Sequence, residues 1–307
     1  MSAPRLRSRW PVLVFLAPAV LIYTVFSAWP LLDTLRLGLY ATDARGVVSF
    51  AGLDNFRTIL VDAQWSAEFW NAMGNNLKFF GIHMLFQNTI ALVLAALLSL
   101  NGLKGAGTYR TLIFMPTLLS VVIIGFTWQL ILSPLWGVAE RLLGVFGLAH
   151  LFAPWLGLEE SALNTLSMMS VWQFVGIPMM LIYAALIAIP DEIIEAASAE
   201  GASAWRIFWE IRLPLILPTL GLVTILTFVA NFNAFDLVYA VKGALAGPNY
   251  STDLLGTLFY RTFFGYQSQV GSATMGAAVA TVMFLVILCG VGAYTVLVQR
   301  RLQRHTF

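Results

Sequence analysis

The most informative polar side chains of this sequence lie in an apolar run, residues 215–235. Thr227, Asn231 and Ala234 are spaced i, i+4 and i+7 and share one face of a helix, with Asn233 to one side. A hydroxyl or an amide in such a run costs free energy unless it meets a partner helix or a wet cavity. These side chains therefore either line a path for a polar solute or hydrogen-bond two helices together.

Two further groups combine an aromatic ring with an amide. Trp172 and Gln173 are followed by the small residue Gly176, and Trp128 is followed by Gln129. An indole face covers the apolar C–H surface of a sugar ring, and an amide both donates and accepts, as sugar hydroxyls do. The alternative is that the tryptophans anchor helices at a membrane interface and the amides join helices.

The residue sets that enzymatic chemistry needs are missing. The three lysines stand outside any G-x-x-x-x-G-K-[ST] sequence, so the chain has no loop to cradle nucleotide phosphates. The three histidines are scattered, which gives no support for a metal site or a catalytic triad. His83, inside an apolar run, is explained by helix packing. We expect no enzymatic activity, no metal site and no cofactor in this chain.

Composition indicates a membrane protein. Of 307 residues, 59% are hydrophobic and 10% are charged, and the net charge of +2 gives no basic face for nucleic acid. Six apolar runs reach the length of about 20 residues that a bilayer-spanning helix needs. We predict an all-α integral membrane protein whose six transmembrane helices are residues 11–32, 79–100, 111–132, 166–189, 215–235 and 273–298.

The distribution of Lys and Arg predicts the orientation of these spans. Ten of them fall in the two tails and in the loops after spans two and four, against seven in the other loops. Positive charge is retained in the cytoplasm, so both termini are expected there. Six of the ten are tail arginines: Arg5, Arg7, Arg9, Arg300, Arg301 and Arg304.

The cytoplasmic loop 190–214 is too long for a simple connector. Its first part favours a helix that starts at Pro190 and is interrupted at Gly201. Three aromatic residues follow at helical spacing, and Pro214 is expected to end the element. Two short helices bent at a glycine would offer a knob to a cytoplasmic partner, or would lie as an amphipathic helix at the membrane surface without one.

The same loop carries a motif of seven positions at fixed spacing: Glu195, Ala196, Ala197, Gly201, Ile211, Leu213 and Pro214. This order resembles the EAA loop of the membrane subunits of ABC importers. Ile189-Pro190 and Gly201-Ala202-Ser203 resemble the carbohydrate-importing subgroup, although Glu200 stands where that subgroup usually has Asp. The chain is most similar to the first of its two unlike permease subunits, the relatives of the larger maltose-permease subunit.

The resemblance implies one membrane subunit of an ATP-driven, binding-protein-dependent importer that moves a carbohydrate into the bacterial cytoplasm. The implied partners are a second, homologous permease subunit, a cytoplasmic ATPase dimer that binds ATP and Mg, an extracytoplasmic sugar-binding protein and membrane lipid. The seven loop positions would couple to the ATPase. The resemblance also implies Thr227 and Asn231 as sugar ligands, with Ala234 where the family has a further asparagine.

Other functions weighed against this one are an ion-coupled secondary transporter, an ABC permease for a non-sugar solute such as glycerol phosphate, and a membrane-embedded enzyme. Coupled transporters and membrane enzymes use titratable groups within the spans, and none of the six runs contains Asp or Glu.

We predict two parts of the chain. Residues 1–75 hold the tail, the first span and an outer loop, and residues 76–307 form a five-helix permease core.

Overall fold

The structure is a computed structural model that describes residues 10–43, 45–100, 103–267 and 270–299. These residues are mostly helical, because a helix satisfies its backbone hydrogen bonds within one apolar segment. The six tail arginines that contribute to the predicted orientation lie outside the described residues.

The first apolar run forms a continuous helix. Helix α1 (Trp10–Tyr23) continues through a π-helical turn (Thr24–Ala28) into α2 (Trp29–Leu37). Its apolar stretch, Val14–Leu37, overlaps most of the predicted span 11–32, and none of its most apolar window is buried against the other described residues. This helix therefore presents its apolar side chains outward.

A short hairpin corrects the all-α prediction. Strands β1 (Tyr40–Thr42) and β2 (Val48–Phe50) pair antiparallel, with Tyr40 opposite Phe50. The Asp43 side chain accepts from the backbone N–H groups of Arg45 and Val47, both at 2.8 Å, which closes the turn as aspartate commonly does. Local turn chemistry thus creates a two-stranded ribbon where the apolar pattern predicted only helix and loop.

The second span is longer than predicted. After α3 (Asp54–Val61), helix α4 (Ala63–Ile82), a π-helical turn (His83–Gln87) and α5 (Asn88–Leu98) form one 36-residue helix. The Asp62 side chain caps its start by accepting from two backbone N–H groups. The predicted boundary between residues 75 and 76 lies within α4.

The third and fourth runs are bent. Helix α6 (Ala106–Phe114) ends in a 3₁₀ turn (Met115–Leu118) and meets α7 (Val121–Leu132) at 96°, while α9 (Glu159–Phe174) meets α10 (Gly176–Ile187) at 44°. Pro178 lacks the N–H that would bond to the Phe174 carbonyl, which favours the second bend. Helix α8 (Val138–Val145) and a 3₁₀ turn (Ala149–Leu151) join the two pairs.

The remaining helices follow the predicted loop. They are α11 (Asp191–Ala199), α12 (Ala204–Ile207), a π-helical turn (Phe208–Arg212), α13 (Leu213–Phe232), α14 (Asp236–Lys242), α15 (Leu255–Phe264), α16 (Ala273–Tyr294) and a last π-helical turn (Thr295–Gln299). Within the described ranges, four helices are long and apolar enough to cross a membrane, or up to six if each bent pair is one span.

The core that positions the candidate site joins α4, α9 and α14. Phe79, Leu166, Leu237 and Val238 are buried there in one apolar cluster. A second cluster packs α5 on α10, where Ala91 lies with residues such as Met179. Small residues of this kind let membrane helices approach closely.

Candidate functional site

A cavity of about 420 Å³ is lined by residues of α4 and the π-helical turn that follows it, and by residues of α9, α10, α13 and α14. Its wall is largely apolar and includes the aromatic rings of Phe79, Phe174 and Phe235. Seven residues add polar groups: His83, Gln87, Ser170, Thr227, Asn231, Asn233 and Asp236. The arrangement suits hydrogen bonding to a polar solute that also has apolar surface.

Three of the seven predicted substrate residues line this cavity, and all three come from α13 or its end. Thr227 and Asn231 are buried, whereas Asn233 is exposed and lies at the rim. Asn231 Nδ2 donates to the Thr227 backbone oxygen at 2.7 Å, and Thr227 Oγ1 donates to Asn88 Oδ1 at 3.2 Å. Thr227 therefore also joins α13 to α5.

The wall formed by the π-helical turn (His83–Gln87) and α9 contains a hydrogen-bonded pair between two spans. His83 Nδ1 lies 2.8 Å from the Phe79 carbonyl oxygen, and His83 Nε2 lies 3.0 Å from Ser170 Oγ. The packing role predicted for His83 is thus confirmed, because both ring nitrogens have partners. The same residue also lines the cavity, which the sequence interpretation did not foresee.

Gln87 and Ser170 were likewise missed as cavity residues. Gln87 Oε1 is buried and has no hydrogen-bond partner among the described residues. The spacing of His83 and Gln87, four residues apart in an apolar run, is a signal that could have identified this wall. The sequence around Ser170 does not indicate a cavity residue, because Ser170 contacts His83 only once distant helices have packed.

The other four predicted substrate residues do not line this cavity. Gln173 is buried and donates from Nε2 to the Leu119 carbonyl oxygen at 3.2 Å. A side chain at Gly176 would place its Cβ 2.8 Å from Phe114 Cα, so this glycine permits close packing of α10 on α6. Trp128 and Trp172 form an edge-to-face pair at 5.6 Å, and Trp172 is exposed. Their contact with substrate stays a prediction.

The EAA-like loop has the predicted bend. Helix α11 ends before Gly201, whose φ of +86° lies in the left-handed region that favours glycine. Ser203 then caps α12 by accepting from the Arg206 backbone N–H at 3.3 Å. Glu195 and Ala196 are exposed and Ala197 is partly covered. The loop therefore presents the motif residues on an accessible surface.

The prediction that Pro214 ends this element is wrong. The chain runs from α12 through the π-helical turn directly into α13, and Pro214 lies in the first turn of that helix. A proline is tolerated there because the wider π-helical turn precedes it and the first-turn N–H is dispensable. Ile211 and Leu213 are partly buried, and Pro214 is exposed.

Aromatic and charged side chains mark the outer surface of α12. Trp205 is 72% exposed and packs edge-on against Trp209, with ring centroids 5.5 Å apart. Arg206 Nε lies 2.8 Å from Glu210 Oε2 in an exposed ion pair. The hydrogen bond with Glu210 raises the pKa of the Arg206 guanidinium above its ordinary value.

A second buried polar cluster lies away from the cavity, where α4 meets α15. The Arg261 guanidinium contacts Asp253 at 2.9 Å and Glu68 at 3.2 Å, and it lies over the Tyr250 ring at 4.8 Å. In the part of the chain that the structure describes, no group of three His, Cys, Asp or Glu residues could hold a metal ion. The charged groups of this cluster contact one another, whereas the cavity has open volume, so the cavity is the better candidate for binding a ligand.

Comparison with known proteins supports a transport role. The chain is 31% identical to the sn-glycerol-3-phosphate transport system permease protein UgpA of Escherichia coli O6:K15:H31, over 94% of each chain. It is 30% identical to the lactose transport system permease protein LacF of Rhizobium radiobacter, over 90% of this chain and 88% of that one.

A solved structure shares the fold. One chain of a bacterial alginate ABC transporter, crystallised in complex with an alginate pentasaccharide-bound periplasmic protein, superposes with a TM-score of 0.80 at 22% identity over 96% of both chains. Residues 87–303 match the family described as "Binding-protein-dependent transport system inner membrane component". The chain belongs to this family and is the membrane subunit of an ABC importer.

Proposed function

We propose that this subunit carries a carbohydrate across a bacterial cytoplasmic membrane. The observation that carries the proposal is the cavity, whose wall combines amides and hydroxyls with apolar and aromatic surface among otherwise apolar helices. Amides and hydroxyls match sugar hydroxyls, and aromatic rings cover the C–H surface of a sugar. The lactose permease relative supports this substrate class, and the glycerol-3-phosphate permease relative supports the competing one.

In this proposal the sugar contacts Thr227, Asn231 and Asn233. Two or three neutral hydrogen bonds of about 1 kcal/mol each make a weak site, which suits a carrier that must release its substrate. Gln173 and Gly176 are buried by neighbouring helices, so a sugar could reach them only in another conformation of the importer. The Trp128–Trp172 pair lies at the outer surface, where a second subunit could close a larger path.

We propose six spans, with each bent pair crossing once and both termini in the cytoplasm. This arrangement puts the loop 190–214 in the cytoplasm, together with Arg206 and Arg212. Residues 1–75 would form the tail, the first span and the outer loop, and residues 76–307 the five-helix core. The outward-facing apolar side chains of Val14–Leu37 would contact lipid and a second permease subunit.

The ATPase would bind the EAA-like loop. Glu195, Ala196, Ala197 and Gly201 would enter a cleft of that subunit, with the alanines permitting close approach and the glycine the bend, and Ile211, Leu213 and Pro214 would join the loop to α13. The exposed α11 surface supports this role. ATP and Mg would be bound by the ATPase, because the sequence of this chain lacks a phosphate-binding loop.

Uptake by the complete importer in proteoliposomes tests the proposal. With the binding protein outside and ATP inside, a labelled carbohydrate should accumulate, and omission of ATP or of the binding protein should abolish accumulation. The isolated chain should bind no ATP. Accumulation driven by a proton or sodium gradient without ATP would instead establish a secondary transporter and overturn the proposal.

A further inference from the structure

The hydrogen bonds of Asn231 define which end of its amide is free. Nδ2 donates to the Thr227 carbonyl oxygen, a contact that an amide oxygen could not make. Oδ1 is then the other end, and it is buried without a partner in the described structure. The side chain is 4% exposed and lines the cavity. The α13 wall therefore contains an acceptor that lacks a donor.

The His83–Ser170 pair has a defined hydrogen-bond direction as well. Because His83 Nδ1 faces a carbonyl oxygen, it must carry a proton. The imidazole is 2% exposed and its two partners are a carbonyl and a hydroxyl, so burial favours its neutral form. Nε2 then accepts a hydrogen bond from the Ser170 hydroxyl. Toward a ligand, Ser170 Oγ can therefore act only as an acceptor.

Gln87 adds a third acceptor to the wall. Its side chain is 6% exposed, and its Oε1 is buried with no described partner. Gln87 and His83 are the two ends of the π-helical turn His83–Gln87, and such turns are frequent at functional sites. The three acceptors come from three separate helical segments around one cavity.

The charges of the cavity wall, like its free acceptors, favour a neutral ligand that carries hydroxyl groups. Of the described residues that line the cavity, Asp236 carries the one formal charge, and no Lys or Arg is among them. Phosphate and carboxylate groups are usually bound by Arg, Lys or backbone N–H groups. An anion here would lose water and meet a carboxylate and no cationic side chain, whereas a neutral polyol can donate to the free acceptors and accept from the amide N–H groups.

We propose that this subunit's cavity selects an electrically neutral, hydroxyl-rich carbohydrate and excludes phosphorylated or acidic ones. This inference rests on the proposed function and narrows it. It separates the chain from the glycerol-3-phosphate permease that it resembles in sequence. It also assigns Gln87, at the end of the π-helical turn, as a substrate contact in the cavity.

A substrate panel with the complete importer tests the charge preference. The neutral probes are lactose, maltose and raffinose, and the anionic probes are glucose 6-phosphate, glucuronate and glycerol 3-phosphate. At least one neutral sugar should enter ten times faster than any anion. Preferred uptake of glucose 6-phosphate or glucuronate would overturn this inference while carbohydrate import stands. Uptake of glycerol 3-phosphate alone would overturn both.

A variant of Gln87 tests the contribution of the cavity to sugar binding separately from that of the binding protein. Gln87→Met keeps the length of the side chain and removes the amide, and Thr89→Val changes an exposed residue of the same span outside the cavity. Binding of the transported neutral sugar is measured on complexes in nanodiscs, with the ATPase arrested by ATP and vanadate. Gln87→Met should weaken binding about three- to tenfold, as expected for one hydrogen bond, with normal assembly. Unchanged binding in Gln87→Met would overturn the assignment of Gln87.

Discussion

Two buried asparagines on adjacent spans show how similar side chains are used differently. Asn76 donates from Nδ2 to the Asn231 backbone oxygen at 2.9 Å and accepts at Oδ1 from the Leu255 backbone N–H at 2.7 Å. It therefore joins α4, α13 and α15. The Asn231 side chain makes one hydrogen bond, within its own helix, and its Oδ1 has no partner in the described structure. A buried amide with both ends bonded stabilises the fold, whereas one with an unbonded end beside a cavity is a candidate ligand contact.

The same contrast separates the Arg261 cluster from the cavity. Arg261 is 1% exposed and its two terminal nitrogens contact Asp253, Glu68 and the Ala244 carbonyl oxygen. The positive charge of Arg261 is compensated by the two carboxylates, and its buried Nε has no hydrogen-bond partner among the described residues. The cavity wall instead contains unpartnered acceptors beside open volume. Burial alone thus does not identify a binding site, whereas unmet hydrogen-bonding capacity beside a cavity does.

The largest expected effect is on the compensated cluster. Arg261→Ala leaves two carboxylates without their cation and should lower the free energy of unfolding by about 3–5 kcal/mol. Thermal unfolding and the yield of folded subunit in detergent measure this loss. Arg36→Ala is the matched control, because its pair with Asp33 is exposed and should contribute less than about 1 kcal/mol. Equal stability of the two variants would contradict a structural role for the cluster.

The next effect concerns Asn76. Asn76→Ala removes two buried hydrogen bonds and leaves the Leu255 N–H without its acceptor, which should cost about 2–4 kcal/mol. Transport should fall only in proportion to the amount of folded protein, which the same unfolding assay quantifies. A loss of sugar binding by fully folded Asn76→Ala would erase the distinction drawn between the two asparagines.

Gly201, unlike Arg261 and Asn76, is exposed, so its replacement tests a backbone effect without any loss of buried contacts. A Cβ at Gly201 would meet no atom within 4 Å, so the substitution acts only through the left-handed backbone. Leucine at this position would either straighten the bend or keep a left-handed backbone that costs about 1–3 kcal/mol. Gly201→Leu should therefore abolish coupled uptake and leave membrane insertion intact. Uptake and sugar-stimulated ATPase activity are measured together. Unchanged uptake would mean that the bend is not needed for coupling.

The smallest effect on stability is expected at Asn231. Asn231→Ala removes one local hydrogen bond and should weaken sugar binding about tenfold, or about 1.4 kcal/mol, while unfolding changes little. Sugar binding, uptake and assembly are compared with those of Asn164→Ala. Asn164 makes the same kind of bond, to the carbonyl oxygen four residues earlier, on an exposed surface. Failure of Asn231→Ala to assemble, with normal transport by the residual complex, would make Asn231 structural.

The helical class and the bend of the loop 190–214 could be predicted because their causes are local. Runs of about 20 apolar residues need helical backbone in lipid, and the break at Gly201 follows from the conformation that glycine adopts easily. The hairpin at Tyr40–Phe50 and the continuation through Pro214 were not predicted. The apolar pattern carries no information on turn closure, nor on a π-helical turn that precedes a proline.

The candidate site was predicted on one side only. The spacing of Thr227 and Asn231 identifies the α13 wall, since residues four apart share a helix face. The rest of the wall depends on His83 meeting Ser170, 87 positions later, and on which amides find partners across helices. The sequence by itself determined the apolar runs, the bend at Gly201 and the absence of a nucleotide loop. Only the tertiary structure decided which buried polar groups compensate one another, because hydrogen bonds between distant residues form only once the helices pack.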